Sequence, residues 1–266
     1  MNLVPGQGKL IAGWDSPHVR EVVASMGQKL FTQLETFGTS ADASWQARDI
    51  DYSEGMTRFR VWREGKEWAE FQTTLFGEFN VRNCLAVIVA ADAWGVERPA
   101  IAAALATFES VRRRCEVRGE INGVIVIDDF AHHPTAVRET LTALRLKYKD
   151  RRLVAVFEPR SRTSCHATFQ DAYVDAFRPA DYVIVSRVFD GQRAAEMGGV
   201  LDITKLIDDI AAQNKPAYAI TVVDEIVHTL ARELHSGDVV VIMSNGAFGG
   251  IHEKLLSALS EEAKNS

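Results

Sequence analysis

Apolar positions divide the chain into two stretches of different rhythm. Beyond residue 119, uninterrupted apolar runs at 124–127, 153–157, 182–185, 217–220 and 239–243 alternate with amphipathic segments at 135–146, 167–177, 203–213, 223–234 and 251–259. A strand covered on both faces needs an apolar side chain at every position, and the segments between such strands need only one apolar stripe. The alternation therefore predicts a mainly parallel sheet with helices on both faces. Right-handed crossovers put every strand-to-helix loop on one edge of it.

The first hundred residues mix element types. A short strand is predicted at 9–12 and a helix at 18–26. Alternating segments at 44–52, 56–62 and 68–75 suggest antiparallel strands, with Arg63-Glu64-Gly65-Lys66 as a hairpin connection between the last two. Two helices follow. One covers 80–93 and is stopped by Gly95, and the other carries Pro99 in its first turn and runs to about Phe108. The boundary falls near 109–118, giving an α/β chain of two domains, 1–111 and 112–266.

Composition narrows the class. At 266 residues the chain has room for one large or two smaller domains. A net charge of −6 argues against general binding to nucleic acid or acidic membranes. Three cysteines, Cys84, Cys115 and Cys165, without C-x-x-C spacing favour reduced thiols over a disulfide framework or zinc site. No run approaches the roughly twenty apolar residues of a membrane helix, and the first residues lack the blocks of a secretory signal. A soluble cytoplasmic protein is expected.

Candidate chemistry gathers where the predicted strands end. Asp128-Asp129-Phe130-Ala131-His132-His133-Pro134 follows the run at 124–127, the place where open α/β sheets bind ligands. An ionised carboxylate there can accept both hydroxyls of a ribose, and Asp129 is the candidate. The competing reading is that Asp129 caps the next helix, although Pro134 as first helical residue puts His133 at the cap. Asp128 reads as structural. His132 and His133 suit a general base or donors to substrate oxygens, with a loop histidine as the plain alternative. Adjacent histidines rarely share an ion, so no metal site is expected. Arg112-Arg113-Arg114 reads either as solvated surface charge or, from its place at an interdomain junction, as the source of one arginine that reaches phosphate. Ser244-Asn245-Gly246-Ala247-Phe248-Gly249-Gly250 is either an anion-cradling loop or a tight turn that needs glycine. Gly6-Gln7-Gly8-Lys9 is not a phosphate loop, because Leu10 stands where Ser or Thr is required.

Four motifs in order resemble the carboxy-terminal domain of the Mur ligases, ATP-dependent amide-forming enzymes of peptidoglycan synthesis. They are Arg113-Arg114-x-Glu116-Val117-Arg118-Gly119, the Asp128-to-Thr135 segment, Glu158-Pro159-Arg160-Ser161 and Met243-Ser244-Asn245-Gly246. The resemblance covers essentially the whole chain. It implies that 1–111 is the C-terminal half of an ATP-binding central domain and 112–266 a Rossmann-like C-terminal domain. Gly77-Glu78-Phe79-Asn80-Val81-Arg82-Asn83 resembles the family's G-x-H-N-x-x-N motif, with Phe79 in place of the histidine. By this matching Asn80 and Asn83 lie at adenine, Arg114 at the phosphates and Asp129 at the ribose. His132, His133, Arg160, Ser161 and Asn245 lie toward the incoming substrate.

The implied cofactors are ATP and Mg2+, and the implied reaction passes through an acyl phosphate of UDP-N-acetylmuramate. Glu158-Pro159-Arg160-Ser161 resembles the muropeptide-recycling branch, whose acceptor is L-alanyl-γ-D-glutamyl-meso-diaminopimelate. The branch that adds L-alanine typically carries Gln-Pro-His-Arg there. No G-x-x-x-x-G-K-S/T sequence occurs, so the phosphate-loop lysine and magnesium ligands are expected upstream, and no catalytic residue is assigned. The chain is expected to be inactive alone, with a non-catalytic nucleotide- or peptide-binding module as the alternative. Oligomeric state is not legible in the sequence.

Overall fold

The computed structural model describes residues 4–27, 32–53, 55–189 and 199–265. Contacts divide the chain into two compact units, 1–109 and 110–266.

The first unit is a five-stranded sheet ordered β1-β2-β3-β4-β5, made of β1 (Lys9–Gly13), β2 (Gln33–Gly38), β3 (Trp45–Asp51), β4 (Thr57–Arg63) and β5 (Lys66–Thr73). β1, β2 and β3 run parallel, while β3, β4 and β5 pair antiparallel, as their alternating pattern predicts. Helix α1 (Pro17–Met26) starts on Ser16, whose hydroxyl accepts from the Val19 amide, with Pro17 in the first turn. Helix α2 (Glu78–Ala93) buries Val81, Cys84, Leu85, Ile88 and Val89, the spacing of one helical stripe, against Trp45, Phe59, Val61 and Phe71. Burial of each of Leu85, Ile88 and Val89 stabilises by about 1.5–3 kcal/mol. Gly95 takes a left-handed φ of 79° just past α2 and stops it, and α3 (Arg98–Ala106) adds Ile101 and Leu105 to the same core. β2 is a strand that the periodicity did not predict.

The second unit contains β6 (Glu116–Ile121), β7 (Val124–Asp129), β8 (Leu153–Phe157), β9 (Tyr182–Val185), β10 (Ala217–Ala219) and β11 (Val239–Met243), in the order β10-β9-β8-β11-β7-β6. All neighbours are parallel except β6, which turns back on β7 through Asn122-Gly123 as an antiparallel edge. That strand was not foreseen either. Helices α4 (Pro134–Lys147), α5 (Gln170–Ala176) and α6 (Ile203–Ala211) cover one face over Ile125, Ile127, Ala155, Val183 and Val241. Helices α7 (Val223–Glu233) and α8 (Ile251–Asn265) cover the other over Val124, Val126, Val154, Ile184 and Val240. Successive strand residues point to opposite faces, so two cores require the unbroken apolar runs. The helix expected at 167–177 is split: His166 Nδ1 accepts from the Thr168 amide and closes a 3-10 turn, Ala167–Phe169, before α5. Among the described residues no helix is long and apolar enough to cross a membrane.

Candidate functional site

β8, β11 and β7 are adjacent parallel strands, and Phe157, Met243 and Asp129 sit side by side at their carboxyl ends. The main chain ties the edge together: Ser244 N donates to Asp129 O (3.1 Å) and Glu158 N to Met243 O (3.0 Å). Three segments distant in sequence, 128–134, 158–161 and 244–246, therefore emerge on one edge. This is the crevice where such sheets bind ligands.

Asp129 is buried, and both its oxygens are engaged within the chain. Oδ1 accepts from Ala131 N (2.7 Å) and Thr140 Oγ1 (3.2 Å), while Oδ2 accepts from Cys115 N (2.8 Å) and Cys115 Sγ (3.5 Å). Burial raises its pKa and these donors oppose the rise. Burial, then the neighbouring Asp129 charge, pushes the Cys115 thiol well up. Cys115 and Thr140 are partners that sequence reasoning missed, since nothing in their spacing links them to residue 129.

Asp128 is also buried. It faces Arg113 Nε at 3.4 Å, Arg118 Nη1 at 3.8 Å and His252 Nε2 at 3.5 Å, in keeping with its structural reading. Arg113, at a left-handed φ of 60°, turns inward and donates from Nη2 to Ser244 O (2.6 Å) and Gly246 O (2.8 Å). It thus pins the 244–246 loop to the β6–β7 hairpin. Arg114 is exposed, with its guanidinium 5.5 Å from the Phe130 ring centroid.

His133 caps α4 as Pro134 predicts, its Nδ1 accepting from Thr135 N at 3.2 Å, and its ring packs edge-on against Phe169 at 4.9 Å. Burial, then the neighbouring His132, lowers its pKa and keeps it neutral enough to accept. His132 Nδ1 lies 3.0 Å from Phe130 O, and the His132 carbonyl accepts from the buried Tyr173 hydroxyl at 2.6 Å. Both rings are half-buried beside the edge.

Ser161 Oγ accepts from Ser164 N (3.0 Å) and donates to Ser164 Oγ (2.9 Å), closing the turn after β8. Glu158 Oε2 accepts from Ser244 Oγ (2.5 Å), which in turn accepts from Gly246 N (2.9 Å). The Gly246 amide is thus spent within the loop and does not cradle an anion. Arg160 extends over Gly246, 3.9 Å from Glu158 Oε1. Asn245 Oδ1 is buried with no hydrogen-bond partner among the described residues, an acceptor suited to a donor from outside the chain.

In the first unit, Asn80 and Asn83 sit one turn apart at the start of α2. Asn80 Nδ2 donates to Phe76 O (2.8 Å), and Asn83 Nδ2 reaches Asn80 Oδ1 only at 3.5 Å. Asn83 is exposed and Asn80 half-buried. Among the described residues no three His, Cys, Asp or Glu side chains converge to hold an ion.

Two family descriptions match the chain: Mur ligase middle domain over residues 1–91, and Mur ligase, glutamate ligase domain, over residues 113–246. The UDP-N-acetylmuramate--L-alanyl-gamma-D-glutamyl-meso-2,6-diaminoheptandioate ligase of Escherichia coli (strain K12) is 36% identical over 99% of this chain and 54% of its own length. The UDP-N-acetylmuramate--L-alanine ligase of Alkaliphilus metalliredigens (strain QYMF) is 32% identical over 96% of the chain and 54% of its own length. A crystal structure of a murein peptide ligase from Psychrobacter arcticus 273-4 superposes with a TM-score of 0.66 at 30% identity, covering 97% of this chain and 52% of that one. The chain spans about half the length of the relatives it matches.

Proposed function

The chain belongs to the Mur ligase family, and from that premise we propose that it forms part of a ligase joining a muropeptide to UDP-N-acetylmuramate in peptidoglycan recycling. Members of the family are ATP-dependent ligases of cell-wall biosynthesis that use ATP and Mg2+. In this reading residues 1–111 are the second half of the ATP-binding domain and 112–266 the C-terminal domain. ATP, when bound, supplies the phosphoryl group that activates the muramyl carboxylate for attack by the peptide amine. Asn80 and Asn83 hold adenine, Arg114 the phosphates and Asp129 the ribose, the last by exchanging its long Cys115 Sγ contact for a hydroxyl. No step is assigned to magnesium through these residues.

His132, His133, Arg160, Ser161 and Asn245 then face the acceptor. The observation that carries the choice of acceptor is Arg160, a guanidinium extended over the loop at the same edge as the histidine pair. L-alanine also carries a carboxylate, next to its amine, whereas the tripeptide brings further ones beyond the reacting amine end, and an arginine fork suits them. The 36% identity to the Escherichia coli enzyme supports the same choice. The L-alanine ligase is the second reading, favoured by relatives such as that of Alkaliphilus metalliredigens.

Phosphate release decides between them. It is measured for the full-length gene product carrying these residues, with UDP-N-acetylmuramate and either L-alanyl-γ-D-glutamyl-meso-diaminopimelate or L-alanine, and with the 266 residues alone as control. Turnover with the tripeptide only is expected, and none from the control. Turnover with L-alanine only assigns the sister activity. Silence with both leaves a binding module.

A further inference from the structure

We infer that Gly246 is a positioning residue for Arg160, and that the seat so formed presents the Arg160 guanidinium to a carboxylate of the incoming peptide. The second half of this statement rests on the peptide-ligase reading above.

Gly246 is not a glycine for backbone reasons. Gly249 and Gly250 in the same loop have φ of 60° and 69°, whereas Gly246 lies outside the left-handed region. What it supplies is space: a Cβ at 246 would collide with Arg160 Cδ and Nε and lie 2.6 Å from Cζ. The backbone beneath cannot retreat easily, since Arg113 holds the Gly246 carbonyl and Ser244 Oγ the Gly246 amide. Arg160 therefore rests on bare main chain.

The guanidinium is held from other sides as well. The Phe189 ring centroid lies 3.8 Å from Arg160 Cζ, and Phe189 is anchored by its amide to Pro159 O at 3.0 Å. Such stacking fixes a guanidinium plane while leaving its N–H edge free. Glu158, itself held by Ser244, balances the charge from 3.9 Å, too far for a hydrogen bond. Among the described residues no acceptor takes an Arg160 N–H in a hydrogen bond, and the side chain keeps 32% of its surface exposed. A fork that is fixed in place, partly open and unfilled suits a planar two-oxygen anion.

The test uses the full-length ligase labelled on arginine, with the Arg160 Nε–H resonance as a direct report on the seat. The ring of Phe189, 3.8 Å from Arg160 Cζ, should displace that resonance in the wild type. In Gly246→Ala it is expected to move toward its position in Phe189→Leu, because the added methyl pushes aside the flexible end of Arg160 rather than the main chain. The KM for the tripeptide should rise about tenfold or more, by more than kcat falls. Arg160→Ala should show a similar rise, and the double variant Gly246→Ala/Arg160→Ala should be no worse than Arg160→Ala alone.

A resonance unmoved by Gly246→Ala overturns the seat. One that moves while tripeptide KM stays put overturns the carboxylate assignment. A wild-type enzyme that uses L-alanine and not the tripeptide removes the peptide as ligand together with the reading beneath it, and the resonance then judges the positioning role on its own.

Discussion

His252 Nε2 lies 3.5 Å from Asp128 Oδ1, with side-chain exposures of 8% and 5%. The same carboxylate faces Arg113 and Arg118, and Arg118 is paired in turn with Glu253 on α8 at 2.6 Å. Burial lowers the His252 pKa. Asp128 and Glu253 oppose that, while Arg118 and Arg113 add to it. The folded imidazole is therefore neutral below its unfolded value of about 6.5, and as pH falls past that value the unfolded chain takes up a proton that the folded one refuses. Stability present above pH 6.5 is lost on acidification toward the lower folded pKa, by at most about 1.4 kcal/mol per pH unit for this proton. The urea midpoint of His252→Gln should drop less between pH 7.5 and 5.5 than that of the wild type. Equal drops would show that His252 does not titrate differently on folding.

Asp129 offers a sharper mutational test. Its oxygens receive the amides of Ala131 and Cys115 on opposite sides, so an asparagine must turn its NH2 toward one of them. Asp129→Asn is therefore expected to destabilise about as much as Asp129→Ala, roughly 2–4 kcal/mol in each case, because a buried donor is left unpaired. Chemical denaturation of the two variants checks this, and a near-native asparagine variant would refute the bonding described.

The β4–β5 hairpin turns through Glu64 and Gly65 at φ of 48° and 79°, with Arg63 paired to Lys66. Both central residues of such a turn need positive φ, which glycine adopts freely and asparagine tolerates. Gly65→Ala should cost about 1 kcal/mol and Glu64→Asn should gain a few tenths. Paired thermal melts of the two variants against the wild type give both signs at once.

How much of this was legible depended on burial. β8, β9 and β11 match their apolar runs residue for residue, because a strand buried on both faces carries no polar position to blur its ends. β6 reads Glu-Val-Arg-Gly-Glu-Ile and lies at an edge, where charged side chains are normal, so its apolar content gave no signal. Asn122-Gly123 was the available clue, a two-residue hairpin turn with φ of 53° and 76°. β2 has polar and apolar positions mixed and no such turn beside it. In the site, the segments could be assigned to one edge from topology alone, and His133 could be placed at its cap from Pro134. The Arg113 bonds to Ser244 and Gly246 span 131 and 133 residues. No local spacing encodes a contact of that kind, and the steric use of Gly246 was hidden among glycines that do serve the backbone.

His133 combines two roles that substitution can separate. Its Nδ1 accepts from Thr135 N and its ring packs on Phe169, so His133→Ala should cost about 1 kcal/mol through the lost cap and ring contact. Serine is a strong cap, and His133→Ser should recover most of the cap's share of that stability while leaving no imidazole at the edge. If the ring also faces the acceptor, as proposed, His133→Ser should melt near the wild-type temperature yet keep the raised acceptor KM of His133→Ala in the full-length ligase. Thermal melts and acceptor titrations of the three proteins decide it. A serine variant that regains both stability and acceptor KM would reduce His133 to a cap and remove it from the substrate-facing set.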